Sequence, residues 1–178
     1  MDGPVLETER LILRLPERDD LDGWVAMMAD EEAARYIGGV QPRAACWRFL
    51  ASMAGSWALQ GFGMFSVVEK DTGRWVGRIG PWMPEGWPGT EVGWGLDRRY
   101  WGKGYAMEAA TATIDWVFDA LGWTEVIHCI DPANVNSQNV ARRLGSENRG
   151  PGRLPPPYEE APVDIWGQSR DAWRARPR

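Results

Sequence analysis

The sequence is poor in the residues that build metal and redox sites: 178 residues hold one histidine and two cysteines. Cys46 and Cys129 match neither a metal-ligand spacing nor a disulfide framework. They read as small buried hydrophobes in a reducing compartment, and no metal is expected. His128, inside VIHCI, has no serine or cysteine partner by motif and reads as a strand residue rather than a catalyst. No run of 18 or more apolar residues occurs, so no membrane-spanning helix is expected. The opening MDGPVLETERLILR carries acidic residues and lacks an apolar run before a small-residue cleavage site, unlike a secretory signal. Positive charge is in deficit, with 20 Lys and Arg against 25 Asp and Glu and a formal net charge of -5. That balance argues against a general nucleic-acid binder and suits a cationic substrate better. A cytoplasmic protein with neither nucleic-acid nor membrane partner is the expectation.

What the chain has in excess is tryptophan. Twelve of them are expected in a core or at the rim of a pocket, where the ring buries area and its N–H finds an acceptor. The length suits one domain over residues 1–178, with a basic tail from about 172 to 178 expected to fray. Residues 10–15 read as a strand. A helix follows from a cap at Asp19 or Asp20, with Leu21, Trp24, Val25 and Met28 at helical spacing and Gly38-Gly39 as its stop. Pro42 opens a second helix whose apolar face is Trp47, Leu50, Met53, Ala54 and Trp57. Strands are expected at 64–70 and 74–80 around a DTG turn, then a Pro/Gly loop at 81–89 and a strand at 90–96. A helix carrying Met107, Ala110, Ile114, Val117, Phe118 and Leu121 on one face stops at Gly122. A strand at 124–130, a helix at 134–145 and a strand at 163–169 complete a mixed α/β order.

The junction Arg99-Tyr100-Trp101-Gly102-Lys103-Gly104-Tyr105 turns a strand-like run into a helix-like run through two glycines around a lysine. Backbone N–H groups at such a helix start lack intrahelical partners, and the macrodipole adds about +0.5 charge there. Gly102 and Gly104 therefore suit a phosphate or pyrophosphate seat, with Lys103 or Arg99 adding charge. A P-loop string is absent, and Met107 stands where a dinucleotide fingerprint would need its third glycine.

Arg99-x-x-Gly102-x-Gly104 resembles the [QR]-x-x-G-x-[GA] motif of the GNAT acetyltransferase superfamily. EVGWGLDRRYWGKGYAMEA as a whole is similar to the version in the ribosomal-protein N-acetyltransferase (Rim-type) branch. TERLILR, GRWVGRIG and ANVNSQNVARRLG fit that branch in order, so the resemblance covers roughly residues 5 to 173. It implies an α/β (α+β) GNAT fold, with a mostly antiparallel sheet flanked by helices and strands splayed into a cofactor cleft. It implies acetyl-CoA as cosubstrate, its pyrophosphate on amides around Gly102, Lys103, Gly104, Tyr105 and Ala106. Its pantetheine arm would run along Trp94, Gly95 and Leu96. The family's Asn-x-x-Ser/Ala pattern maps to Asn134 and Ser137 as cofactor contacts, and helix capping explains Asn134 equally well.

Acetyl transfer to an amine needs a base, an oxyanion donor and a leaving thiolate, whose pKa near ~8.5 makes an acid helpful rather than essential. Strand alternation places Val92, Trp94 and Leu96 on one face and Glu91, Gly93 and Gly95 on the other. Glu91 is the candidate base, directly or through a water; a solvated strand-end glutamate is the plain alternative. Many family members place a tyrosine acid where this chain has Ala141, and a phenylalanine where it has Ser146. Ser137 is the remaining candidate donor to sulfur. Tyr36, Trp82 and Trp87 are candidate walls of an acceptor pocket. The acceptor is expected to be a peptide N-terminus or a small amine. A non-catalytic acyl-CoA sensor on the same fold is the alternative, and a nucleotide-binding module is a third. The last strand or an exposed tryptophan is available for a homodimer contact.

Overall fold

The structure, a computed structural model, describes residues 3–176. Eight strands form one sheet in the order β1-β2-β3-β4-β5-β6-β8-β7. They are β1 (Leu6–Glu7), β2 (Leu11–Arg14), β3 (Phe65–Glu69), β4 (Trp75–Trp82), β5 (Glu91–Leu96), β6 (Glu125–Ile130), β7 (Glu147–Pro151) and β8 (Asp164–Ser169). Every pairing is antiparallel except β5 with β6. A parallel pair needs a crossover, and here it is α4 (Tyr105–Asp119). The mixed, mostly antiparallel architecture flanked by helices is the one expected.

Alternation along the strands builds two apolar layers. Leu11, Leu13, Val67, Val76, Ile79, Val92 and Leu96 pack with Ile114, Val117 and Phe118 of α4. On the other side α1 (Leu21–Ala29) and α3 (Arg43–Gln60) contribute Trp24, Met27, Met28, Cys46 and Met53, which close on Met64. Asp20 ties that second layer to the sheet. Its buried carboxylate takes both Nη atoms of Arg14, at 2.9 and 2.7 Å, and the Ser66 hydroxyl at 2.6 Å.

Several elements differ from the sequence expectation. The helix expected up to Gly38-Gly39 breaks at Asp30, whose extended backbone ends α1 and whose side chain caps Glu32 and Ala33 of α2 (Glu31–Ala34). A carboxylate that can satisfy two free helix-start amides competes with helix continuation. On α3 the buried face is Cys46, Leu50, Met53 and Trp57, while Trp47 is exposed. β4 runs on through Pro81 and Trp82, expected as loop. The Asp97 amide bonds to the Val76 carbonyl, so odd-numbered β5 residues face β4. Pro81 is paired with Val92, an even one. Its missing N–H thus points away from β5, past the Phe65–Ile79 end of the β3 pairing.

β1, β7 and α6 (Arg170–Ala175) were not expected. The tail expected to fray from about 172 is instead helical through Ala175; Pro177 and Arg178 lie outside the described residues. Ser169 caps α6 at Ala172 N, Trp173 is 2% exposed, and its indole N–H donates to Asp115 at 2.7 Å. Trp173→Ala is expected to cost about 3–5 kcal/mol of stability, read as a lower urea midpoint without a change of slope. A change under ~0.5 kcal/mol would mean that α6 is not docked.

Candidate active site

The bend between β5 and α4 is held from both ends. Asp97 accepts from the Arg99 amide at 2.9 Å and from its guanidinium at 3.0 and 2.7 Å. Tyr100 and Tyr105 are buried, their rings 6.4 Å apart. Gly102 and Gly104 have φ of +73° and +81°, the left-handed region that favours glycine. Arg10 draws the Lys103 carbonyl to its Nη1 at 2.8 Å and also pairs with Glu108. Residues 101–104 are exposed. Among the described residues, the amides of Gly102, Gly104, Tyr105 and Ala106 donate to no acceptor of the chain, while that of Lys103 closes the turn over Trp101 and Gly102. The bend is therefore an open cradle of unpaired N–H groups at a helix start. Lys103 Nζ lies 3.7 Å from Glu69 and 5.0 Å from the Tyr100 ring. Arg99, mostly exposed, is committed to Asp97.

Beside the bend the sheet opens. β5 and β6 share one register pair, Glu91 with Ile127. Beyond it, even-numbered β5 residues turn their peptide groups toward a widening gap. The Val92 carbonyl accepts from His128 Nδ1 at 2.7 Å, and the Leu96 carbonyl accepts from Trp101 Nε1 at 2.9 Å. The Trp94 N–H and C=O face the gap between them. The Trp94 ring packs at a tilt of 49° against His128, centroids 4.8 Å apart, and its indole N–H donates to Ser137 Oγ at 3.2 Å.

A cavity of about 440 Å³ lies against this fork, lined by Glu91, Trp94, Asn134, Ser137, Tyr36, Trp82 and Trp87. All seven were singled out in the sequence. Gly95, Leu96, Arg99, Gly102, Lys103, Gly104, Tyr105 and Ala106 lie outside it, along the strand end and the bend. The Leu96 and Tyr105 side chains belong to the core, so only their backbones are available. Asn134 and Ser137 sit at the start of α5 (Val135–Leu144), where Asn134 Oδ1 accepts from the Ser137 amide at 3.1 Å. That oxygen is a helix cap. Tyr36 donates to the Ala133 carbonyl at 3.3 Å and closes one rim.

Glu91 is not a solvated strand end: it is 6% exposed. Oε1 accepts from the Cys129 amide at 3.0 Å and Oε2 from Trp87 Nε1 at 2.5 Å. Trp87, expected as a wall, holds the carboxylate. Burial raises the Glu91 pKa above the ordinary carboxylate value, against those two hydrogen bonds. His128 is also buried, and burial lowers its pKa to about 4. Because the Val92 carbonyl can only accept, Nδ1 carries the proton. Nε2 then accepts from Ser146 Oγ at 3.0 Å, and Ser146 accepts from Gln168 Nε2 at 2.9 Å. Ala141 is fully buried beside Trp166. No group of three metal-ligating side chains forms among the described residues.

Arg78 was not singled out. It lines the cavity from β4, opposite Gly95. The available signal was alternation in GRWVGRIG, which sets one arginine between buried Gly77 and Ile79.

The open bend, the forked sheet and the buried carboxylate at the fork lie in a chain that belongs to the acetyltransferase (GNAT) domain family, which it matches over residues 10–147. It is 31% identical over 149 residues to the uncharacterized N-acetyltransferase p20 of Bacillus licheniformis, covering 82% of this chain and 83% of that one. Its fold is similar to that of an acetyltransferase from Agrobacterium tumefaciens, with a TM-score of 0.81, 28% identity and coverage of 94% and 95%. Rim-type ribosomal-protein acetyltransferases are among its structural neighbours. One is Mycobacterium smegmatis RimJ in complex with CoA-disulfide, with a TM-score of 0.74, 17% identity and coverage of 94% and 87%. That likeness is one of fold.

The buried neutral His128 makes stability fall with acid. The unfolded chain takes up a proton near pH 6.5 and the folded chain only near pH 4. The stability tied to this group is therefore complete above about pH 6.5 and is lost as pH falls toward 4. The lost contribution is about 3 kcal/mol. Denaturant melts at pH 7 and pH 4.5 should show a shallower acid loss in His128→Gln than in the unaltered chain. An equal loss in both would remove His128 as the cause.

Proposed function

We propose that the chain transfers an acetyl group from acetyl-CoA to a primary amine, both bound at once, without a covalent acyl-enzyme. The observation that carries this reading is the set of four unpaired amides, of Gly102, Gly104, Tyr105 and Ala106, at the bend. They and the helix dipole fit a diphosphate, with Lys103 as the nearest flexible cation. The gap along Trp94, Gly95 and Leu96 fits an extended arm that pairs with strand-edge peptide groups. Acetyl-CoA, when bound, supplies the acyl group as an activated thioester.

The chain's own groups divide the remaining work. Glu91, with its proton affinity raised by burial, takes a proton from the incoming ammonium, directly or through a water. Trp87 and the Cys129 amide fix the carboxylate's orientation. The Trp94 N–H, turned into the gap, is the donor available to an oxygen that gains negative charge. Ser137 Oγ accepts from the Trp94 indole, which leaves its own hydrogen to donate to sulfur. Ala141 offers no acid, so Ser137 is the hydroxyl assigned to that role. Tyr36, Trp82 and Trp87 surround the amine.

Glu91→Gln should leave acetyl-CoA affinity intact and slow thiol release in the presence of an amine acceptor by about 10²–10⁴-fold. In the unaltered chain, the acid limb of kcat/KM should lie above the ordinary carboxylate range, because burial raises that pKa. Unchanged turnover in Glu91→Gln would exclude it as the base. Gly104→Val forces a branched residue into φ +81°, with its Cβ 3.4 Å from Arg10. It should weaken acetyl-CoA binding by calorimetry at least about tenfold. Tight acetyl-CoA binding with no turnover across peptides and small amines would favour the acyl-CoA sensor instead.

A further inference from the structure

The cavity contains a cation with no counter-ion of its own. Arg78 has no carboxylate within ion-pair distance among the described residues. Its Nη1 meets only the thioether of Met64, at 2.6 Å, a weak acceptor. Its Nε is closed off from solvent without any acceptor. Its guanidinium carbon lies 5.5 Å from the Trp24 ring, and the Trp24 indole N–H is likewise buried and unpartnered. Both residues line the cavity. Two acidic groups of the cavity act on it, Glu91 first and the Tyr158 phenol second, and the Glu91 oxygens are already taken by Trp87 and Cys129.

The position of Arg78 says which ligand it would meet. A Cβ built on Gly95 would lie 3.6 Å from Arg78 Nε, and one on Gly93 would lie 3.5 Å from Glu91 Oε1. Arg78 and Glu91 therefore rise from one face of β4 and β5, on the side of Trp24 and Met64. The gap between β5 and β6 lies in the plane of the sheet. Glu91 and Gly95 are four positions apart on β5, about 13 Å between backbones, which two long side chains shorten.

We propose that the acceptor is an amine that also carries a carboxylate, with the carboxylate held by the Nη groups of Arg78 while the amine faces Glu91. This rests on the acetyltransferase reading. A guanidinium that lines a recess without a counter-ion binds an oxyanion with two parallel hydrogen bonds, and a neutral amide cannot replace it. Polyamines, which are cationic throughout, are disfavoured by the same group, and so is a peptide N-terminus without an acidic residue close behind it. The apolar side walls, with Met28, Phe49 and Met53, suit an amino acid with an apolar body.

The test is a calorimetric panel on the unaltered full chain. Apolar α-amino acids and ω-amino carboxylates are each titrated beside their own carboxamides. At least one acid should bind about 10- to 100-fold tighter than its amide. Arg78→Met should abolish that preference, and Arg78→Lys should retain part of it. If the Met variant fails to fold, the Lys variant and the acid-to-amide ratio of the unaltered chain decide. Equal binding of acids and amides, no binding by any acid, or an unchanged ratio in a folded Arg78→Met variant would each overturn the proposal. Acetyl-CoA is titrated separately. A chain that binds acetyl-CoA but prefers amides loses only this inference. A chain that binds carboxylates and not acetyl-CoA loses the transferase reading and keeps the carboxylate site.

Discussion

The structure depends on the early parting of two parallel strands. β5 and β6 meet at Glu91 and Ile127 and then separate, which frees peptide groups that a continuous ladder would have paired. A buried peptide group without a partner is expensive, and side chains fill three of the vacancies. Glu91 accepts from the Cys129 amide, His128 donates to the Val92 carbonyl, and Trp101 donates to the Leu96 carbonyl. The fork is thus stabilised as a fork. The carboxylate with the raised pKa is part of the brace, so its position is fixed by the Cys129 amide of the sheet together with Trp87 of the loop between β4 and β5.

The other half of the site has a different physical origin. At the bend, left-handed glycines and the grip of Arg10 on the Lys103 carbonyl leave amides pointing outward. The buried carboxylates beside the bend, Asp97 and Glu69, are taken up by Arg99 and by Tyr105 and Lys103, and the helix start adds the field of its backbone amides. The cavity beside it reverses that balance, with Glu91 and Arg78 as opposite charges set in apolar walls and not in contact with each other. One region offers backbone donors at the surface, and the other sets side-chain charges in a recess.

Much of this was legible in the sequence, for reasons that can be named. The helix through Ile114, Val117 and Phe118 shows because its apolar period is strong and Gly122 ends it. The bend shows because glycine spacing at a strand-to-helix junction is a local signal. The cavity residues from Tyr36 to Ser137 come from four separate segments, and their convergence rests on the family resemblance. Other features are long-range and left no local trace. β7, with the polar sequence ENRGP, is a strand only because β8 offers it an edge. α6 is helical because Trp173 finds a slot against α4. Asp30 breaks a helix that periodicity would continue. Arg78 looks like any solvent-facing strand residue until Gly95 is placed opposite it.

The chain His128, Ser146 and Gln168 carries one more consequence. Each group has a fixed donor or acceptor role: the imidazole gives a hydrogen to Val92 and receives one from Ser146, which in turn receives one from Gln168. These three positions are coupled through their hydrogen bonds. Bringing phenylalanine to position 146 alone would leave His128 Nε2 without its donor in the interior and Gln168 Nε2 with the Leu144 carbonyl alone, so a lineage crosses to that arrangement by exchanging neighbours together or by passing through a weakened ancestor.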